Sequence, residues 1–579
     1  MHRRIALALG TLALAACTDR VPPETPFTGL LPRDVGHVPT PLTTPPAVSG
    51  GHLAVSASGR WAVAADPDRD QVWVFDLANE RMSSNVPMQR GDEPGRLVED
   101  SAGRFHVALR RGGAIASIDP STGSLLARRA VCAAPRGVAH DASTDRLVVA
   151  CAGGELVTLD SDPQGALLDS RVLEPDLRDV VIEDDHLYVS RFRAGQVLVV
   201  RDGAIAGRTQ LAGPPGRTPA EGRVAWRMLA DPRGGVRVLH QAHRMDRIDV
   251  ESGGYGSDSG CGRSVVQPML SHVDTEGQGA PLALGILTLA VDMTIEGSRA
   301  TVISAAEEAS LPAAEFALDG VEPCGFGDLV VAGELQGPLT SIARTPAGTR
   351  LLLRRQPFSL VIERPEGMSA IVVERAADVT HPGHRLFHTT TGIGIACASC
   401  HPEGGEDGHT WIFGDDVRRT QDLRGGVLET GPFHWAGDMP TMSHIMNASL
   451  VERMADRPVS PALARYTEQW MNALPAIPAP AIDEAALARG RALFEGAGCA
   501  SCHAGARLTD NSNADVGLGE AVQVPSLRGV AARAPYYHLG CAATLDELVS
   551  GVCASGHEHD LSARDPSERG DLVAYLRSL

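Results

Sequence analysis

The feature that most constrains this chain is the pentapeptide Cys-Ala-Ser-Cys-His, which occurs at Cys397–His401 and again, 102 residues later, at Cys499–His503. Two cysteines at this spacing can attach one porphyrin through thioethers, and the adjacent histidine can bind its iron. A bare Cys-x-x-Cys is also found in zinc sites and redox dithiols, but here both copies carry the histidine. The sequence therefore predicts two covalently bound haem c groups, held by Cys397, Cys400 and His401 and by Cys499, Cys502 and His503.

The length and charge of the chain narrow the class of protein. At 579 residues it is too long for one ordinary hydrophobic core, so several domains are expected. Its net charge of −19 argues against nucleic acid as a partner and is compatible with a basic redox partner protein.

Residues 1–17 are typical of a secretory signal peptide, because two arginines precede an apolar run that ends in Leu-Ala-Ala-Cys. This ending resembles the bacterial lipoprotein cleavage box, which implies lipidation at Cys17; a plain signal peptide is the alternative. Thr18 stands where an inner-membrane retention signal has Asp, which favours the outer membrane. We expect a periplasm-facing lipoprotein of the bacterial cell envelope, joined to the membrane by its lipid through a Pro/Thr-rich tether at 18–48.

Residues 50–365 contain short alternating runs, most of which end in an apolar pair and an acid, and these acids lie 43, 41, 42 and 47 residues apart. Alternation indicates half-buried strands, and a period of about 40–45 residues indicates a β-propeller, here of about seven blades. A two-sheet sandwich is the alternative. The repeats resemble the YVTN or lactonase-like propellers of exported bacterial proteins. The acids are Asp76, Asp119, Asp160, Asp202 and, in a looser copy, Asp249.

Beyond residue 370 the alternation stops and an internal repeat begins. Gly-His-Arg-Leu-Phe precedes the first haem motif and Gly-Arg-Ala-Leu-Phe precedes the second. We predict two mostly α-helical c-type cytochrome domains, at 375–475 and 482–579, separated by a proline-rich linker.

The residue on the second axial side of each iron decides between electron transfer and catalysis, since a filled site passes electrons and an open one can bind peroxide. Met454 lies 53 residues past His401, and His557 lies 54 residues past His503. This parallel spacing predicts Met454 and His557 as sixth ligands. The alternatives are a core role for the methionine, ligation by the neighbouring His559 or by His538, and a solvated loop around His557 and His559.

Six cysteines remain after lipid and haem attachment, an even number that suggests disulfides in an exported protein. Sequence order favours three pairs among the 15 possible connectivities. These pairs are Cys132–Cys151, Cys261–Cys324 and Cys541–Cys553.

Residues 381–579 resemble the bacterial diheme cytochrome c peroxidases. The resemblance is carried by the two haem motifs, by Pro-Phe-His-Trp-Ala-Gly-Asp at 432–438, by Val-Pro-Ser-Leu-Arg-Gly-Val at 524–530, and by Ala-Pro-Tyr-Tyr-His-Leu-Gly at 534–540. It implies two haem domains face to face with Trp435 between the haems. It also implies a calcium ion between the domains, for which Asp510, Asn511 and Asn513 can supply oxygens.

The chain also departs from that family. Asp438-Met439-Pro440 replaces the arginine that follows the tryptophan motif, and Val552 stands where the second haem's methionine falls. The residues left to move protons at the first haem are His434, His444 and Glu452. Together with Trp435, which can act as a relay between the haems, they are our candidate catalytic residues.

Two functions follow from these patterns. The first is single-electron transfer by an exported, lipid-anchored diheme cytochrome, with the propeller as a docking or scaffold module and a redox protein as partner. The alternative is a peroxidase-like oxidoreductase that reduces peroxide or oxidises a protein or small organic donor at the first haem. A third interpretation makes the propeller a sensor that the haems report.

Overall fold

The computed structural model describes Arg33 and residues 44–579, apart from short gaps at 184, 215–218, 252, 257–263, 286, 310, 320–323, 326–327, 330–336 and 518. The signal peptide, Cys17 and most of the tether at 18–48 lie outside the described residues. No helix in the described part of the chain is long and apolar enough to cross a membrane.

In the described part of the chain, seven sheets form the N-terminal domain; they are antiparallel apart from one short pair, and five of them are built from four consecutive strands. Blade one contains β1 Leu53–Val55, β2 Trp61–Asp66, β3 Gln71–Asp76 and β4 Arg81–Pro87, and blade two contains β5 Pro94–Glu99, β6 Phe105–Leu109, β7 Ala114–Asp119 and β8 Ser124–Ala130. Blade three contains β9 Pro135–Asp141, β10 Arg146–Cys151, β11 Glu155–Asp160 and β12 Leu167–Val172, and blade four contains β13 Leu177–Glu183, β14 His186–Arg191, β15 Gln196–Arg201 and β16 Ala204–Gln210.

Blades five to seven complete the ring, and two short strands of this region pair outside their own position in the chain order. Blade five contains β17 Ala220–Ala230, β18 Val236–Arg244, β20 Val266–Val273 and β21 Leu282–Leu284, and β25 Cys324–Gly325 joins it from later in the chain, whereas β19 Arg247–Ile248 pairs outside the propeller. Blade six contains β22 Ala290–Glu296, β23 Arg299–Ser304, β24 Ala313–Ala317 and β26 Asp328–Leu329. Blade seven contains β27 Leu339–Arg344, β28 Arg350–Arg354, β29 Ser359–Arg364 and β30 Gly367–Val372. The last blade extends past the predicted boundary at 365.

The first strands of neighbouring blades contact one another around the ring, and β27 of blade seven contacts β1 of blade one. The predicted seven-bladed propeller is therefore confirmed. The middle strands are buried on both faces because each blade is covered by its two neighbours, whereas outer strands such as β8 alternate or are exposed.

The recurring acids have a structural role at the turn between the third and fourth strands of a blade. The carboxylate of Asp76 accepts hydrogen bonds from the N–H groups of Ala78 and Asn79, and that of Asp119 accepts from Ser121. Short acidic side chains stabilise such turns by replacing a backbone acceptor. Asp249 differs, because β19, just before it, pairs with a strand of the first haem domain rather than with blade five.

The C-terminal region contains two helical domains that repeat the same order of elements. The first has α1 Pro382–Phe387, α2 Cys397–Cys400, β31 Thr410–Phe413, β32 Asp416–Arg419, α3 Met442–Met446, a π-helix Asn447–Arg453 and α4 Pro461–Ala473. The second has α5 Glu484–Gly496, a 3-10 helix Cys499–Ser501, β33 Asn513–Asp515, β34 Ala521–Gln523, α6 Leu545–Val549 and α7 Pro566–Arg577.

The glycines of the two lead-in motifs mark the helix crossings of these domains. A Cβ at Gly383 would lie 2.4 Å from the carbonyl oxygen of Tyr466, and a Cβ at Gly490 would lie 2.0 Å from that of Asp571. Only glycine allows α1 to approach α4, and α5 to approach α7, this closely.

Two predicted disulfides are present, Cys132–Cys151 in the propeller and Cys541–Cys553 in the second haem domain. The third predicted pair includes Cys261, which lies outside the described residues. The four cysteines of the haem motifs are free of disulfides.

Two candidate haem sites

The first haem motif borders a cavity of about 1300 Å³, part of it open to solvent. Cys397, Cys400 and His401 lie in its wall, at α2 and just beyond it. The Nδ1 atom of His401 lies 2.9 Å from the carbonyl oxygen of Gly405 and donates to it. This bond leaves Nε2 as the nitrogen available to a metal, which is the arrangement that orients histidine ligands.

The second motif borders a cavity of about 1590 Å³, also partly open to solvent, and Cys499, Cys502 and His503 line it. His503 repeats the arrangement of the first site, because its Nδ1 atom lies 3.1 Å from the carbonyl oxygen of Leu508. Burial lowers the pKa of both His401 and His503, so both rings are neutral and suited to bind iron.

The cysteines of the first motif are unlike those of a redox dithiol. Burial raises the pKa of Cys397 to about 12 and raises that of Cys400 well above its ordinary value. Reactive dithiols instead have a thiolate with a lowered pKa. In the part of the chain that the structure describes, neither motif belongs to a cluster of three or more His, Cys, Asp or Glu ligand atoms of the kind that holds zinc. The buried thiols, the neutral histidines and the largely apolar walls fit haem c.

Four methionines line the first cavity together with the haem motif. Met442 and Met446 come from α3, Met454 follows the π-helix directly, and Met471 belongs to α4. Met454 is 5% exposed. The structure thus brings the predicted ligand Met454 to the cavity together with three other thioethers, whereas Met439 is not part of the lining.

In the second cavity the structure places His559, and not the predicted His557, in the wall. The ring centroids of His503 and His559 are 6.5 Å apart. Two imidazoles on opposite sides of one metal, each with a bond of about 2.0 Å, have centroids roughly 6.4 Å apart. His557 instead packs against Gly517, where a Cβ would meet its ring at 2.9 Å. Of the two histidines of this loop, the structure thus brings His559 to the cavity, whereas the spacing favoured His557.

The hydroxyl of Tyr537 forms a hydrogen bond with the ring of His559. The hydroxyl of Tyr537 lies 3.0 Å from Nδ1 of His559, which leaves Nε2 for a metal. Burial lowers the pKa of His559 to about 4 and raises that of Tyr537 to about 12, so both side chains are neutral. His538, the other predicted alternative, also lines the cavity, but its Nε2 lies 3.2 Å from Glu520.

Trp435 and Arg419 line both cavities. The indole Nε1 of Trp435 donates to the carbonyl oxygen of Arg419 at 2.6 Å, and its ring lies 5.9 Å from that of His538. The predicted position of Trp435 between the two sites therefore matches its place in the fold.

The structure separates the other candidate catalytic residues. His434 lines the first cavity and lies 3.1 Å from Asp438. His444 bonds to Thr441 and Glu452 accepts from Asn447, and neither is part of the cavity wall. Of the three polar candidates, only His434 is brought to the first site.

The residues suggested for calcium lie where the two haem domains meet. Asn511 donates to the carbonyl oxygen of Glu429, and Asn513 donates to that of Ala436. The carboxylate of Asp510 accepts from Ser512 in its own loop. These contacts account for the asparagines as interdomain hydrogen-bond donors.

Sequence reasoning missed the contribution of the propeller to the first site. Ile248, Tyr255 and Val265, all from the stretch between β18 and β20, line the first cavity. The only sequence signal was the irregularity of the blade pattern after residue 253, which did not reveal where these residues fold.

A second contact joins the propeller to the loop that follows His401. Glu403 is buried between Arg178 at 2.6 Å, Arg110 at 2.8 Å and Arg136 at 3.6 Å, three arginines of blades two to four. Burial alone raises the pKa of this carboxyl, but the three guanidinium groups hold the pKa of Glu403 well below its ordinary value. The loop is thus fixed by charge at the centre of the ring.

Comparison with known proteins gives the class of this chain. The Cytochrome c family matches residues 487–579. The methylamine utilization protein MauG of Methylorubrum extorquens is 33% identical over 121 residues, which covers 16% of this chain and 33% of MauG. The chain thus spans about a third of that relative's length. Residues 487–579 thus form a cytochrome c domain, the kind of domain that carries covalent haem c, and this similarity supports haem-based electron transfer or oxidoreduction.

Solved structures with similar folds include a streptogramin B lyase (10% identity, TM-score 0.39, 54% of this chain and 93% of that one). Others are hydrazine synthase of Kuenenia stuttgartiensis (12%, 0.44, 59% and 100%) and the dihydro-heme d1 dehydrogenase NirN (15%, 0.37, 57% and 68%). Because these TM-scores are below 0.5, the propeller assignment rests on the sheets of this chain alone.

Proposed function

We propose that this chain is a diheme c-type cytochrome that exchanges single electrons between its two sites and an outside redox partner. The observation that carries the proposal is the position of Trp435, whose side chain lines both cavities. An aromatic ring shared by two iron sites provides a short packed connection between them, and its bond to Arg419 holds it there.

Haem bound at each site supplies an iron that changes its charge by one electron. The residues of the chain determine how that iron is held. His401 and His503 are fixed by backbone carbonyls, and Met454 of the first cavity and His559 of the second are the side chains that would serve as the further ligands. Since thioether ligation raises the reduction potential relative to imidazole, the first site is the stronger oxidant in this proposal.

The propeller acts as a scaffold in this proposal. Its central arginines are engaged by Glu403 of the first haem domain, and Arg193 bonds to Glu406 of the same loop at 2.6 Å. These contacts favour a scaffold over a sensor, because the charged groups at the centre of the ring are already paired within the chain.

The proposed location is the periplasmic side of the bacterial envelope, with lipid on Cys17. The N-terminal sequence, the covalent haem and the disulfides support it, since exported proteins carry such features. The Cys17→Ser variant tests the anchor. Fractionation is expected to move the protein from the membrane to the soluble periplasm, and unchanged membrane association contradicts the lipid assignment.

The test of electron transfer is the spin state of each iron in the full exported protein. Absorption and electron paramagnetic resonance spectra are expected to show two low-spin ferric haems, one with His/Met and one with His/His ligation. A high-spin first haem that reacts with hydrogen peroxide contradicts the proposal.

A high-spin first haem that reacts with hydrogen peroxide is the result expected for a second candidate function. His434 lies at the first cavity beside Asp438, where an imidazole paired with a carboxylate can transfer protons. A peroxidase-like oxidoreductase requires the first iron to be open and requires His434, so peroxide turnover that falls at least about 100-fold in His434→Ala favours this candidate.

A further inference from the structure

The stretch between β18 and β20, described at residues 245–251, 253–256, 264 and 265, leaves blade five and lies on the first haem domain; we call it the blade-five arm. Its strand β19 pairs in parallel with β31, placing Arg247 beside Ile412 and Ile248 beside Phe413. Further along, Gly256 lies so close to Ile393 that a Cβ would be 3.0 Å from it. The arm thus forms one wall of the first cavity.

The arm also holds the end of the π-helix Asn447–Arg453. The last carbonyls of a helix have no partner within the helix and need donors from elsewhere. Here the N–H of Gly253 donates to the carbonyl of Glu452 at 2.8 Å, and the N–H of Tyr255 donates to that of Arg453 at 3.2 Å. These are the two residues immediately before Met454, so the arm fixes the backbone that carries this methionine.

Side chains reinforce the same contact. Arg453 donates to the hydroxyl of Tyr255 at 3.2 Å, and its guanidinium lies 5.9 Å from the Tyr255 ring and 5.6 Å from the Phe413 ring. A cation that contacts two neighbouring aromatic rings in a partly desolvated site is held more firmly than one on the surface. Tyr255 and Arg453 both line the first cavity.

From these contacts we propose that Tyr255 of the propeller is a positioning residue for the sixth ligand of the first haem. By holding Arg453, it keeps the turn before Met454 in place and the first iron six-coordinate. This inference rests on the proposed function, because it takes Met454 to be the ligand. The inference makes the propeller part of the first redox site. Among the described residues, no propeller residue lines the second cavity.

The test compares Tyr255→Ala and Tyr255→Phe with Met245→Ala in the full exported protein. Met245 belongs to the arm but is 46% exposed, so its removal is expected to leave both haems unchanged. Tyr255→Ala is expected to convert about half or more of the first haem to a high-spin form that binds cyanide, with loss of the near-infrared methionine–iron band. Tyr255→Phe keeps the packing and is expected to give a smaller fraction, since it loses only the bond to Arg453.

The second haem is the internal reference and is expected to stay low-spin in every variant. If the first haem is low-spin in the wild type and stays so in both Tyr255 variants, the inference is wrong and the proposed function stands. If Tyr255→Ala does not fold, an unaltered Tyr255→Phe has the same meaning. A wild type whose first haem is already high-spin overturns the proposed function and the inference together.

Discussion

The two haem sites share one pentapeptide but differ in what surrounds it. The first receives Ile248, Tyr255 and Val265 from the propeller, and thioethers line it together with His401. The second is built from its own domain apart from the shared Arg419 and Trp435, and an imidazole lies opposite His503. A duplicated attachment motif can thus serve two irons of different potential, because the environment opposite the motif comes from elsewhere in the fold.

The largest expected effect concerns the spin state of the haem at the second site. His559→Ala removes the imidazole 6.5 Å from His503 and is expected to convert the second haem fully to a high-spin form. Electron paramagnetic resonance measures the change. His557→Ala is the matched control and is expected to leave the spectrum unaltered, since His557 is not part of the cavity wall. A low-spin second haem in His559→Ala, or a high-spin one in His557→Ala, contradicts the assignment.

The next effect concerns the propeller contact at the first site. Glu403→Gln leaves Arg110, Arg136 and Arg178 buried without their shared carboxylate, which is expected to lower the free energy of unfolding by about 3–5 kcal/mol. Urea unfolding followed by haem absorbance measures it. Glu429→Gln, which breaks an exposed pair with Arg507, is expected to change the midpoint little. Equal midpoints for both variants would show that the loop is not held by charge.

A third prediction concerns a buried histidine of the propeller. Burial lowers the pKa of His240 to about 4, while the carbonyl of Gln241 and the hydroxyl of Ser271 bond its ring. The unfolded state therefore binds the proton first, and the contribution of His240 to stability is lost as the pH falls from about 6.5 to 4. This residue alone is expected to account for a loss of about 3 kcal/mol, and unfolding at several pH values measures it. His240→Gln is expected to reduce the pH dependence by that amount; an unchanged slope contradicts the assignment to His240.

The smallest effect tests the connection between the sites. Trp435→Leu keeps an apolar side chain but removes the ring shared by the two cavities, and it is expected to slow electron exchange between the haems roughly tenfold, equivalent to about 1.4 kcal/mol of barrier. Flash reduction followed by absorbance measures the rate. Trp411→Leu, in the first cavity only, is the control, and a similar slowing in both variants argues against a special role for Trp435.

The haem motifs were predictable from the sequence because their chemistry depends on adjacent residues. The propeller was predictable because its strands repeat with a regular period. The contacts of Glu403 with three blades, and of Tyr255 with Arg453, join residues about 200 positions or more apart and leave no periodic trace. The preference for His557 over His559 has a related cause. Spacing fixes a loop to within a turn, whereas the choice between two histidines depends on which ring the loop directs into the cavity.

The central claim is that two covalent haems sit in one chain with different axial ligands, and a potentiometric titration of the purified exported protein tests it most directly. We predict two one-electron steps of equal amplitude at well-separated potentials, with the higher step lost in Met454→Ala and the lower step shifted in His559→Ala. A single step, or two steps that neither substitution moves, would contradict the account.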